Sequence, residues 1–455
     1  MRFHESCKKL DSGTDGDLKS YFVRTKAIDA LARFDSQQVV AVGLKGVGKT
    51  GAYRHLVEFG KSADIVVGIT TDKFSLYLPN KNLHYAACRK QFEHDLVIEA
   101  LRAITENRDS IKSKVSKGLL DKAAKQVTSY TELLKKVSGR FGGISVLGCG
   151  FTIARPETPV VVGLRPEKEI TEAFQVLKDI CSSGVKVRIV VDDPEQVFSA
   201  TRELDTHLIG GFCLAALRLS SAIHGLKVIA LLKTHVYYPI LIDVDDLRKY
   251  PDHMARLCWS RDELVNVIDA RLKWSKSSWT DFFAGSEPTG RQRVKSLTEN
   301  IRNGPRDLLR WIDLSLQLVG TGKITEQTVK ETRKKASLDS FGELESAHSS
   351  NYPKIGAVIK VVFRSDPDHK YTLRELQQHL ENLIVNAPEM RSLSGLTWMQ
   401  HENSQTLPEL LFETGAIALE SKGTLILPYE EGYQPGNLEA ADYILLTPAL
   451  AGALK

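Results

Sequence analysis

The stretch Val39-Val40-Ala41-Val42-Gly43-Leu44-Lys45-Gly46-Val47-Gly48-Lys49-Thr50 decides the fold. An apolar, β-branched run breaks into glycines and a Lys-Thr pair, and a helical pattern then runs from Thr50 to Phe59. Strand, loop and helix start in that order complete the pattern G-x-x-x-x-G-K-[ST] at Gly43, Gly48, Lys49 and Thr50. A bound triphosphate needs backbone N–H groups at close range, a mobile cation and a hydroxyl for Mg2+. Gly46 and Gly48 let the backbone wrap a β-phosphate, Lys49 reaches the β- and γ-oxygens, and Thr50 ligates the metal. The expected nucleotide-contacting set is therefore Gly43, Lys45, Gly46, Val47, Gly48, Lys49, Thr50 and Gly51. Thr50 also belongs to the expected Mg2+ shell.

Downstream, Asp64-Ile65-Val66-Val67-Gly68-Ile69-Thr70 reads as a second strand, followed by a helical pattern over residues 83–105. Strand alternating with helix at this spacing predicts a parallel sheet with helices on both faces. A third apolar run, Val185 to Val191, ends in Asp192-Asp193-Pro194-Glu195. A strand ending in adjacent carboxylates suits a metal-bound triphosphate: Asp192 holds the Mg2+ shell, and a second acid orients or deprotonates the attacking water. Asp193 is the first candidate for that base and Glu195 the alternative. A fourth run, Leu226 to Leu232, ends in Lys233-Thr234-His235. Ligands of parallel sheets sit at the carboxyl ends of the strands. The ends Gly-Lys-Thr, Asp-Asp and Lys-Thr-His are thus expected to converge, with Thr234 sensing the γ-phosphate or placing the water. Lys233 and His235 read as residues of the sheet edge.

Upstream, residues 1–38 form a polar lead-in with a helical pattern near Thr25 to Phe34, which delivers the chain to the first strand. Such a segment often packs near the base, but the sequence singles out no residue for that role. Residues 110–140 carry seven lysines and Arg140 against Asp121 and Glu132. They read as a basic helical insertion closed by a Gly-rich loop or small hairpin at Gly139 to Gly150. A solvated lysine-rich face is the favoured reading of that charge, contact with nucleic acid the other. Residues 243–345 are helical in pattern. Ser260 with Glu263 forms a capping-box start, and Asn303-Gly304-Pro305-Arg306 opens a later helix. Arg306 in a first helical turn opposes the helix dipole, which suggests an anionic partner such as a γ-phosphate.

At 455 residues the chain is long enough for two or three domains. With 42% hydrophobic and 26% charged residues it has an ordinary globular composition. No apolar run approaches the ~18 residues of a membrane span. The amino terminus lacks the apolar core of a signal peptide, so a cytoplasmic location and no membrane association are expected. The six cysteines are scattered without a C-x-x-C pair, which argues against a zinc site or a disulfide framework. From Pro353 onward, 8 Lys and Arg face 13 Asp and Glu, a net of −5, leaving +10 for the residues before it. A basic body and an acidic tail domain are expected to meet different partners.

The ordered motifs resemble the AAA+ and STAND branch of P-loop ATPases. The glycine loop with Lys45, the Trp259-Ser260 opening of the lid helix and Tyr352-Pro353 before the last domain are similar to a bacterial STAND-like group often associated with phage defence. The resemblance implies ATP and Mg2+ as ligands, with Lys49 and Thr50 in the P-loop roles and Asp192 on the metal. It further implies Asp193 as base, Thr234 as sensor 1 and Arg306 as sensor 2. Where the branch usually ends its acidic strand Asp-Glu this chain has Asp-Asp, which implies slow turnover, and no trans-acting arginine finger supports a hexameric ring.

The expected architecture is α/β: a P-loop NTPase parallel sheet with helices on both faces, then a helical lid and a C-terminal winged-helix-like domain. The expected domains are an ATPase core over 1–242, with the basic insertion near 106–150, a lid over 243–345 and the last domain over 352–455. That last domain reads as three helices and a hairpin from Ala416 to Pro428 turning at Gly423. Its third helix offers Glu409 and Glu413 but no Lys or Arg, which disfavours phosphate contact. A protein partner or self-association is therefore expected rather than DNA. The alternatives are a DNA-associated ATPase resembling replication initiators, binding through the basic insertion or the winged helix, and a small-molecule kinase.

Overall fold

The computed structural model describes residues 2–10, 12–60, 63–69, 85–141, 144–147, 150–153, 167–194, 202–349, 351–434 and 436–455. The chain forms two compact units. A sheet unit comprises 26–42 and 52–256, and a lid unit comprises 1–25, 43–51 and 257–455.

The sheet unit is built on five strands: β1 (Val40–Gly43), β2 (Ile65–Ile69), β5 (Val187–Asp192), β6 (Leu226–Lys233) and β7 (Met254–Arg256). Their order is β2-β5-β6-β1-β7, and β2 with β5, β5 with β6 and β1 with β7 pair in parallel. Every residue of β5 and all but the last of β6 are buried. Burial of consecutive residues means that both faces are covered, as the continuous Val, Ile and Leu runs require. Helices Tyr85–Glu106, Arg202–Ala222 and Lys26–Ala32 pack on β2 and β5, on β6 and on β7 respectively. β7 lies in a stretch whose pattern reads as helical; three residues are too few to show a period, and its parallel pairing to β1 supplies what the pattern lacks. Between β2 and β5, the basic helix Lys117–Phe141 packs against Tyr85–Glu106 and Glu167–Ser182. β3 (Ile144–Leu147) and β4 (Gly150–Ile153) then form the expected antiparallel hairpin. Arg108, Lys112 and Lys114 of this region reach Asp121, Asp109 and Asp64 at 3.9, 3.7 and 2.7 Å, so part of its positive charge is locally neutralised.

Two buried cations face each other near the amino-terminal ends of the central strands, where Arg188 and Lys227 are register partners. Arg188 donates to the carbonyls of Ala32 at 2.5 Å and Leu56 at 3.4 Å and lies 5.3 Å from the Phe34 ring centroid. Ala32 closes the helix Lys26–Ala32, so the guanidinium sits at the negative end of a helix dipole. Lys227 donates to the Ser36 carbonyl. Burial, with the charge of Arg188 added, pushes the Lys227 ammonium down from 10.5 to about 8. Above pH 8 the folded chain sheds this proton while the unfolded chain keeps it, so stability should rise with pH. Buried Cys7, Cys88 and Cys181, raised from 9.0 to about 12, 11 and 12, act in the opposite sense once unfolded thiols begin to ionise near 9. From pH 8 to 9 the two effects nearly cancel, so the wild-type urea midpoint should change little, whereas Lys227→Met, which removes only the rising contribution, should be stabilised at pH 7 and lose that advantage as pH rises to 9. A Lys227→Met midpoint that stays level from pH 8 to 9 contradicts the assignment.

In the lid unit, helix Arg261–Trp274 starts on the expected capping box: Glu263 N–H donates to Ser260 Oγ at 3.1 Å and Ser260 N–H to Glu263 Oε2 at 2.7 Å. Such a cap contributes ~1 kcal/mol. Helix Pro305–Val319 opens at Gly304, whose φ of +79° suits glycine. Helix Glu326–His348 packs on it. The last domain has helices Ile355–Phe363, Leu373–Asn386 and Leu407–Glu413, then the antiparallel hairpin of β8 (Ile417–Ser421) and β9 (Thr424–Ile426). Lys422 and Gly423 turn it with φ of +50° and +72°, as a tight hairpin requires. Additional elements are a short helix, Pro388–Leu393, and a strand, β10 (Tyr443–Leu446), that pairs antiparallel with β8. This is the expected winged-helix-like order, extended by one strand. No helix among the described residues is long and apolar enough to cross a membrane.

Candidate functional site

The P-loop follows β1 and belongs by its contacts to the lid unit. Gly46 and Gly48 adopt φ of +92° and +105°, the left-handed region that turns successive N–H groups inward. Lys49 begins the helix Lys49–Arg54 and is buried; its Nζ donates to the carbonyls of Gly43 at 3.0 Å and Leu44 at 3.1 Å. A π-helical turn, His55–Phe59, continues that helix.

Three lid-unit side chains close on the loop. The Trp259 indole donates from Nε1 to the Val47 carbonyl at 2.8 Å. A Cβ built on Gly48 stands 3.8 Å from Trp259 Cζ2, and one on Gly304 stands 3.2 Å from Cδ1 of the same ring. A Cβ built on Gly46 stands 3.0 Å from Asn303 Cβ and 3.4 Å from Arg306 Cδ. Arg306 thus lies beside the P-loop. Its Nε is buried without a hydrogen-bond partner among the described residues. The turn is held by Asp307, whose Oδ2 accepts the N–H groups of Arg302 at 3.0 Å and Asn303 at 2.9 Å.

The lead-in segment reaches the same loop. A Cβ on Gly51 stands 3.4 Å from Phe22 Cε2 and 3.6 Å from Ser12 Oγ. This segment is tied to helix Arg261–Trp274: Arg271 lies 4.5 Å from the Tyr21 ring centroid, the rings of Tyr21 and Trp274 are 5.3 Å apart, and Tyr21 donates to buried Asp15. The roles of Trp259, Asn303, Ser12 and Phe22 escaped the sequence; the only signals were a Trp before a capping serine and polar residues before Gly-Pro.

In the sheet unit, Asp192 closes β5 in register with Leu231 and is buried. Asp193 follows with φ of +46°, a left-handed value that a non-glycine residue seldom holds, and its N–H donates to the Leu231 carbonyl at 3.2 Å. Its Oδ2 lies 3.9 Å from Lys233 Nζ, so Lys233 stands beside the candidate base. Thr234 opens helix Thr234–Asp243 directly from β6, and its buried Oγ1 has no hydrogen-bond partner among the described residues. A helix N-terminus favours negative charge. Glu195 lies outside the described residues.

The residues around the glycine loop fit a nucleotide phosphate. Within the lid unit the positive-φ glycines offer a phosphate cradle, Lys49 a cation and Arg306 Nε an unused donor, while Thr50 carries a hydroxyl, a hard oxygen of the kind that Mg2+ takes. Among the described residues no cluster of three His, Cys, Asp or Glu side chains offers an independent metal site.

No protein-family model matches the chain, and no curated protein matches it in sequence. Solved structures align along nearly its full length. A Walker-type ATPase of Pyrococcus abyssi is 13% identical, covers 98% of this chain and 99% of its own, and gives a TM-score of 0.45. The ORC2 protein of Aeropyrum pernix in its ADPNP–ADP complexes is 11% identical over 97% and 98%, with a TM-score of 0.41. The ORC1 protein of Aeropyrum pernix in complex with DNA is 10% identical over 97% and 96%, with a TM-score of 0.36. Likenesses at this level assign no residue and no activity. The chain's own strands and glycine loop carry the conclusion: a P-loop NTPase-type parallel sheet with helices, followed by a largely helical C-terminal region.

Proposed function

We propose that the chain is an ATP-dependent switch that hydrolyses Mg·ATP slowly, in the manner of AAA+ and STAND ATPases. The observation that supports this most is Arg306, packed against Gly46 with its Nε buried and unused. A guanidinium whose Nε has given up water without gaining a hydrogen-bond partner among the described residues suits an anion arriving at the loop. In this reading Lys49 and the loop amides hold the β- and γ-phosphates, Arg306 reads the γ-phosphate, and Phe22 and Ser12 wall the base. By the resemblance, Thr50 and Asp192 would hold Mg2+, which would neutralise phosphate charge. Asp193, with Lys233 beside it, takes the proton of an in-line water, and Thr234 orients the water or the γ-phosphate.

Loss of the γ-phosphate removes the ligand of Arg306, which stands in the first turn of Pro305–Val319, and so changes the state of the lid. The acidic C-terminal domain suits a protein partner or self-association as the output. The resemblance to STAND-like proteins makes antiphage defence the proposed setting. The DNA-associated alternative is disfavoured because helix Leu407–Glu413 buries Leu407, Pro408, Leu410, Leu411 and Phe412, leaving little of it to enter a groove. The pairing of Lys114, Lys112 and Arg108 with Asp64, Asp109 and Asp121 points the same way.

Arg306→Ala tests the reading. The variant should retain ADP affinity and lose the ATP-dependent change in hydrogen exchange of residues 305–319, while wild type releases inorganic phosphate from ATP without a phosphorylated product. An unchanged exchange response in the variant removes the sensor role.

A further inference from the structure

The residues just ahead of Arg306 hold the P-loop from the side of the C-terminal domain. Arg302, 1% exposed, donates from Nη1 to the Thr414 carbonyl at 3.0 Å. Asn303 is fully buried beside it. Its amide oxygen accepts from Arg302 Nη2 at 2.8 Å and its nitrogen donates to the Lys45 carbonyl at 3.2 Å; the reverse assignment sets donor against donor and acceptor against acceptor. The path Lys45 carbonyl, Asn303 amide, Arg302 guanidinium, Thr414 carbonyl therefore joins the P-loop to the last domain. A direct contact runs alongside: a Cβ on Gly415, at φ of +71°, stands 3.1 Å from Leu44 Cδ1, 3.3 Å from Pro428 Cβ and 3.6 Å from Arg302 Nη1. Thr414 and Gly415 sit between helix Leu407–Glu413 and β8, and the Thr414 side chain is buried too.

Arg302 makes no ion pair among the described residues, and burial lowers its pKa despite the nearby charge of Asp307. A desolvated guanidinium held by a carbonyl and an amide is kept only where the geometry is fixed from both sides. If Thr414 moves, Arg302 must find another acceptor, and Asn303 loses the group that orients its bond to Lys45. We infer that Arg302 is a positioning residue of the nucleotide site, through which the docked C-terminal domain sets the shape of the P-loop and hence its affinity for nucleotide. This rests on the nucleotide reading above and extends it from Arg306, which faces the ligand, to a residue behind the loop. By linkage, bound nucleotide changes the docking of the domain by the same factor.

The test uses the full chain with Mg·ATP and Mg·ADP. Arg302→Met keeps the length of the side chain and removes both donated bonds. Gly415→Ala presses a methyl onto Leu44 from the C-terminal domain without touching any residue proposed to contact nucleotide. Each should raise nucleotide Kd about tenfold, the effect of one charged hydrogen bond. In wild type, nucleotide should change hydrogen exchange at residues 414–419, and in Arg302→Met that change should vanish, which a purely structural role does not require. If Arg302→Met fails to fold by circular dichroism, Gly415→Ala decides. Folded variants with Kd within twofold of wild type, or wild-type exchange at 414–419 indifferent to nucleotide, overturn the inference alone. Wild type that binds neither nucleotide overturns it together with the reading on which it rests.

Discussion

Lys49→Ala should abolish the thermal stabilisation conferred by Mg·ATP. The ammonium is buried and engaged with the carbonyls of Gly43 and Leu44. Those bonds hold the cation at the crest of the cradle formed by Gly46 and Gly48, where a short side-chain movement exchanges carbonyl for phosphate. Alanine removes a P-loop cation whose position is fixed by the loop itself. A ligand at a hundredfold excess over its Kd stabilises by about 2.7 kcal/mol, and 1 kcal/mol corresponds to about 2–4 °C for a unit of roughly 200 residues. Wild type should thus melt ~5–10 °C higher with saturating Mg·ATP, and the variant's two melting curves should coincide. A variant stabilised as strongly as wild type removes Lys49 from the site.

Asp193→Asn should bind Mg·ATP as wild type does and lose turnover by a factor of about 10² to 10⁴, the usual contribution of a positioned general base. Asparagine is the informative replacement because of the backbone. At φ of +46° Asp193 occupies the left-handed region, which Asn tolerates and Ala occupies at a cost of about 1 kcal/mol. The amide therefore keeps the turn after β5 and the bond from the Asp193 N–H to Leu231, while it removes the charge that faces Lys233. Single-turnover phosphate release separates binding from chemistry here. Turnover that survives in Asp193→Asn but disappears in Glu195→Gln transfers the role of base to Glu195.

What the sequence revealed and what it withheld divide by distance along the chain. The strand before Gly43, the acidic end of β5, the capping box at Ser260 and the Gly-Pro opening of Pro305–Val319 are local events, and each shows in a window of a dozen residues. β7 was hidden because three residues carry no period and its identity lies in the register with β1. Trp259 meets Val47 across 212 residues and Arg302 meets Thr414 across 112, separations that no periodicity encodes. The lead-in segment was equally mute, since the contacts of Phe22 and Ser12 with Gly51 arise only once Tyr21 has packed on Arg271 and Trp274. Charge was misleading in one respect: the lysines of residues 110–140 look like a free basic surface in sequence, yet Lys114 is spent on Asp64, fifty positions away.

The central claim is that the glycine loop and Arg306 together bind a nucleoside triphosphate and distinguish it from the diphosphate. Calorimetric titration of the wild-type chain with Mg·ATP and with Mg·ADP measures this most directly. Saturable binding of both, with ATP at least about tenfold tighter because only its γ-phosphate engages the Arg306 guanidinium, is the predicted result. Equal affinities, or no binding of either nucleotide, would contradict it.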